Sequence, residues 1–213
     1  MNRFKNNAGK SILLAMVKAI QENKDYLAEV DGLIGDGDHG MNMNKGFTVF
    51  ENRFQDKDIS FTEGLWELGN ILFSEIGGSM GPIYGTIFME MSDAGEDLEE
   101  ISAGNLADML EAGLKGLQEI VEAKVGDKTL VDTLNPAVDA LKLGALEKQD
   151  FRSVLLHMKQ EAAQGRDSTK DLVAKFGRSS RLGERSRGVL DAGATSCCII
   201  LTAMADGIIE LLK

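Results

Sequence analysis

The chain has 213 residues, enough for one well-buried core, and carries a formal net charge of -11 with two prolines and few aromatics. That acidic balance argues against a nucleic-acid partner, whose phosphates need clustered Lys and Arg. The Ala-, Leu-, Glu-, Lys- and Met-rich mixture favours helix.

Taken in order, "MNRFKNNAGKSILLAMVKAI" imitates a signal peptide, but Lys18 interrupts its apolar part and no small-residue cleavage site follows. The stretch reads instead as an amphipathic helix with Ile12, Leu13, Met16, Ile20 and Leu27 at helix-face spacing. A second helix is expected from about Met41 to Arg53. A third covers 61–76, with Phe61, Leu65, Leu68, Leu72 and Phe73 on one face. A fourth follows over 81–94, with Pro82 near its first turn, where a missing N–H is harmless. A fifth spans 102–123, and a sixth, over 127–145, is expected to kink at Pro136. A seventh begins at Asp150 and extends toward Phe176. The last runs over 193–212 and contains the adjacent Cys197 and Cys198. These have no Cys/His ligand spacing and read as buried thiols of a reducing, cytoplasmic compartment.

Strand alternation is nowhere sustained, and no run approaches membrane-spanning length. The expectation is one domain over 1–213, all-α, a bundle of about eight amphipathic helices, with no membrane partner. Glycines gather in four polar loops, at 31–42, 77–85, 126–129 and 177–193.

The first of these loops, "DGLIGDGDHGMNMN", matches the G-x-G-x-x-G spacing of dinucleotide sites, but no strand precedes it and its intervening residues include carboxylates. As a calcium hand it lacks the glycine and the terminal glutamate. "NAGKS" at 7–11 lacks the first glycine and the preceding strand of a phosphate-binding P-loop. Two readings of Asp31, Asp36 and Asp38 remain. One is a solvated acidic loop capping a helix. The other is a cation site, held against the core by Leu27, Leu33 and Ile34. Two carboxylates about 5 Å apart repel by about 3 kcal/mol at an effective dielectric near 20. A divalent cation reverses that sign, and an all-oxygen donor set suits Mg2+ or Mn2+. The other loops fit a phosphate partner. "IGGSMGP" offers backbone amides from Gly77 to Gly81 at a helix start. "VGDKT" offers Gly126, Lys128 and Thr129. "GRSSRLGERSRG" brings Arg178, Arg181, Arg185 and Arg187.

Together "DGLIGDGDHGMNMNKGF", "GGSMGPIYGT", "GDKTLVDTLNP" and "GRSSRLGERSRGVLDAGATS" resemble the nucleotide-binding L subunit of dihydroxyacetone kinase over nearly the whole chain. The resemblance implies a closed barrel of eight antiparallel helices with ADP or ATP at one end. It implies two Mg2+ ions on Asp31, Asp36 and Asp38. The nucleotide contacts it implies are His39, Gly40, Met41 and Asn42, then Gly78, Ser79 and Met80. Gly126, Leu130, Arg178 and the turn Asp191, Ala192, Gly193 complete them. The family's ketose sits on a separate K subunit, so the implied activity is that of a kinase subunit active only with that partner. The phosphate donor is ATP or a phosphotransferase-system phosphocarrier. A regulatory module that senses nucleotide is the alternative. Two departures from the family pattern, Met80 in the glycine loop and Ala192 in the late turn, leave the ketose open between triose and tetrulose.

Overall fold

The computed structural model describes residues 2–212. Eight α-helices account for most of them: α1 (Lys10–Ile34), α2 (His39–Phe54), α3 (Phe61–Glu75), α4 (Met80–Asp93), α5 (Ala103–Ile120), α6 (Val131–Leu146), α7 (Phe151–Ser168) and α8 (Ala192–Leu211). Their starts are written in the sequence. Ser60 with Glu63, and Ser102 with Asn105, form reciprocal caps on α3 and α5. The carboxylates of Asp150 and Asp191 cap α7 and α8.

Each helix packs on its predecessor and successor, and α8 returns to α1, which closes the ring. At the seam an added methyl on Gly207 of α8 would lie 3.0 Å from the Ile12 Cα of α1, so the two helices meet nearly backbone to backbone. The interior is filled by fully buried rings and branched chains such as Phe47, Phe88 and Phe151. Phe47 meets Phe88 edge-on at 6.4 Å, and Tyr84 stacks on Phe88 at 6.0 Å.

Several expectations change. α1 runs three residues past Asp31, because the 31–42 segment is mostly helical and only 35–38 is loop. Leu33 and Phe73 are 60% and 53% exposed, and the core face of α3 takes Ile71 instead. Phe176 lies beyond α7, past a 3-10 turn at Thr169–Asp171. Pro136 sits inside α6, and Gly165 of α7 lies directly against the Asp132 carbonyl that the missing proline N–H leaves free. Two three-residue strands also occur, β1 (Arg3–Lys5) and β2 (Glu100–Ser102), paired antiparallel and too short to show alternation in sequence. α8 is long and apolar enough to cross a membrane by length and composition, contrary to expectation, but most of it is buried in the barrel wall.

In a ring of up-and-down helices with short connections, alternate loops fall at the same end. The connections 35–38, 76–79, 121–130 and 169–191 therefore share one end, and these are where the glycine and charge signals lie.

Candidate nucleotide and metal site

A cavity of about 400 Å3 opens at that end and is lined from all four connections. The volume is that of a small-molecule site. One wall is acidic. Asp31 stands on the last turn of α1, Asp36 in the connection and Asp38 just before α2. Gly37, at φ +77, lets the chain reverse between the two loop acids. One oxygen from each of the three carboxylates lies within 4.8 Å of the others. Asp31 also accepts the His39 backbone N–H at 3.3 Å, which fixes the carboxylate against the start of α2. Three hard oxygen donors on a half-exposed rim fit a divalent cation of the Mg2+ or Mn2+ type. Arg178 reaches across from the last connection and ion-pairs with Asp36.

A second part of the lining is the connection 76–79 with the start of α4. The first amides of a helix have no intrahelical acceptors, and here no side-chain cap takes their place. Gly78, Ser79 and Met80 line the cavity there, and nothing lies within 4 Å of where methyls on Gly77 or Gly78 would sit. An uncapped helix start beside open glycines is an anion cradle. A third wall is apolar, built from Ile83, Leu117, Val121, Leu130, Val131 and Phe176.

The remaining wall is stitched by buried polar groups. Lys128 is 1% exposed with φ +61, and its ammonium donates to the Thr169 carbonyl and to the Val189 carbonyl at 2.5 Å. Asp132 accepts the Gly126 and Thr129 amides at 2.6 and 2.7 Å. Asp127 binds the Lys124 amide and the Lys175 ammonium. The "GDKTLVD" segment thus ties the loops together, and Lys128 is a strut whose ammonium already holds two carbonyls. Asp191 accepts the Ala194 amide at 2.8 Å, and burial raises its carboxyl to about 6. The His39 ring turns inward. Its Nε2 lies 2.8 Å from Ser196 Oγ, which is 2.7 Å from the Tyr84 hydroxyl. Burial depresses the imidazole to about 4, against a smaller opposing pull from Asp31, so the ring is neutral at pH 7.

The cavity lining thus gathers Asp31, Asp36, Asp38, His39 and Asn42, then Gly78, Ser79, Met80 and Leu130, and finally Arg178, Asp191, Ala192 and Gly193. Three expected contacts lie outside it. Gly40 is packed against α1, where a methyl would overlap the Lys24 carbonyl oxygen. Met41 points outward at 54% exposure. The Gly126 amide is taken by Asp132. Sequence reasoning missed the Ser196–Tyr84 pair and the apolar wall of Leu117 and Val121, which read simply as core faces of helices. His157 is on the surface beside Glu161. Both cysteines are buried free thiols, as expected.

Comparison with known proteins accords with this geometry. The DAK2 domain family matches residues 33–206. The chain belongs to the DAK2 domain family. A DAK2 relative from Listeria innocua, "PEP-dependent dihydroxyacetone kinase 1, ADP-binding subunit DhaL", is 40% identical over 87% of this chain and 88% of its own length. The corresponding ADP-binding subunit of Escherichia coli is 35% identical over 85% and 87%. An L-erythrulose kinase of Pectobacterium atrosepticum is 31% identical over 93% of this chain, which spans 33% of that protein. Among solved structures, the dihydroxyacetone kinase of C. freundii shares the DAK2 fold with a TM-score of 0.73 at 21% identity, over 97% of this chain and 36% of that one.

Proposed function

We propose that this DAK2 domain is the nucleotide-binding, phosphoryl-donating subunit of a dihydroxyacetone-type kinase. The observation that carries the reading is that the three-carboxylate cluster and the open amide cradle line one cavity. Asp31, Asp36 and Asp38 would hold two Mg2+ ions, which when bound neutralise charge on the terminal phosphates. The amides of 77–80 hold phosphate oxygens, and the Arg178 guanidinium offers a planar fork to the same group. The apolar wall takes the base, and the Lys128 and Asp132 struts keep that wall in place. The neutral His39 ring, engaged with Ser196, positions the start of α2 rather than moving the proton of an acceptor. That hydroxyl and its base belong to a partner K subunit that presents the ketose.

Identity favours the relatives whose names specify PEP dependence and an ADP-binding subunit, at 40% and 35%, over the erythrulose kinases, at 31% and 28%. We therefore propose that ADP stays bound and is rephosphorylated in place by a phosphotransferase-system phosphocarrier. The test is mass analysis of the copurified nucleotide, followed by exchange against labelled ATP. Tightly held ADP that fails to exchange is expected, and rapid exchange assigns ATP as a diffusible donor. Asp36→Asn and Asp38→Asn should each abolish Mg2+-dependent ADP binding while the helical circular-dichroism signal stays unchanged. Unaltered ADP affinity in calorimetry on both variants would refute the metal site.

A further inference from the structure

The contact between Arg178 and Asp36 joins the two connections farthest apart in sequence at this end of the barrel. Arg178 follows Gly177 and opens the 3-10 segment Arg178–Ser186, which packs on α1. Its guanidinium leaves its own loop and pairs with one of the three clustered carboxylates. Of the other arginines here, Arg187 is held within its own wall by Glu184 and the Asp171 carbonyl. Three carboxylates within 4.8 Å repel one another, and a guanidinium at Asp36 relieves part of that repulsion without a metal. Both partners are partly solvated, with side chains 63% and 36% exposed, so a divalent ion can displace the pair.

We infer that Arg178 is the resident counter-ion of the acidic cluster in the nucleotide-free protein, so that metal and arginine compete at Asp36 until phosphate arrives. This rests on the metal-nucleotide reading above and adds an order of events to it. Without nucleotide, a divalent ion meets a cation already at its donor, and the two oppose each other. With nucleotide, phosphate oxygens lie between them and attract both. The coupling between Arg178 and metal therefore changes sign when the nucleotide binds. In the empty protein the ion pair ties the last connection to the acidic loop, and metal with nucleotide moves the arginine from carboxylate to phosphate.

The test is Mn2+ binding to the full chain, freed of nucleotide, read by electron paramagnetic resonance without and then with ADP. Arg178→Gln should bind Mn2+ at least about fivefold more tightly than wild type without ADP, and at least about fivefold more weakly with it. Arg185→Gln removes the same charge from the same segment and should shift neither affinity by more than about twofold. Arg178 is largely exposed, so its variant should fold, which circular dichroism checks directly. Equal Mn2+ affinity of wild type and Arg178→Gln without ADP overturns the inference alone. So does an equal gain in Arg185→Gln, because the effect would then be general charge. Absence of Mn2+ binding to the wild type even with ADP overturns the metal site and this inference with it.

Discussion

Glycines in the barrel wall and glycines at the loop end of this molecule meet opposite surroundings. A methyl on Gly40 or Gly165 would overlap a backbone carbonyl of the neighbouring helix, and one on Gly81 would sit 2.5 Å from the Leu72 carbonyl oxygen. Methyls on Gly77 and Gly78 would meet nothing within 4 Å. In the wall, glycine lets helices approach until main chains touch, which sets where each loop emerges. At the rim it leaves main-chain amides uncovered for a ligand. The same residue type therefore serves stability in one region and binding in the other, and substitutions should separate the two.

The largest effect is expected where the wall and the site share a group. Lys128→Met leaves the Thr169 and Val189 carbonyls unpaired in a buried setting and should cost about 3 kcal/mol or more. Denaturant unfolding checks the loss, and an unchanged midpoint would show that water replaces the ammonium. Gly165→Ala should cost about 3 kcal/mol through overpacking against α6, with nucleotide affinity reduced only in proportion to the unfolded fraction. A stable variant with weak ADP binding would instead mean that α6 shifts and carries Asp132 with it.

A comparable effect is confined to acid. The unfolded chain protonates His39 near 6.5, whereas the folded chain does so near about 4. Between those values only the unfolded state takes up the proton, so stability falls as pH drops through the window, by about 3 kcal/mol in full. Asp191 acts oppositely below about 6, where the folded state holds a proton that the unfolded state releases down to 3.8. The difference between wild type and His39→Gln isolates the histidine. The variant's stability should decline less from pH 7 to pH 5, and parallel curves would refute the assignment. The smallest stability change belongs to the rim. Gly78→Ala, at φ +77 in open space, should cost about 1 kcal/mol of stability and weaken ADP binding at least tenfold in calorimetry. Full affinity there would show that these amides do not face the phosphates.

Much of this division was legible in the sequence because it depends on local chemistry and simple topology. Helix periodicity gave a bundle of about eight helices, and the family resemblance implied the closed antiparallel ring; alternate connections of such a ring converge, which brings "GDGDHG", "GGSMG", "GDKT" and "GRSSR" to one end. What depends on crossing angles was not legible. Nothing local turns Phe73 outward and Ile71 inward on α3, or commits the Lys128 ammonium to carbonyls 41 and 61 residues away. Ser196 lies in an apolar helix, and its link to His39 exists only because the ring closes.

The seam where Gly207 abuts Ile12 has a further consequence for how the chain can be cut and rejoined. α1 starts and α8 ends side by side, at the pole away from the cavity. A short linker there, from the end of α8 to the start of α1, would not approach the cavity. New ends opened at 147–150, on the same pole, would give a circular permutant whose four ligand-bearing connections stay continuous. Opening the ring at 35–38 would divide the acidic cluster between the two new ends.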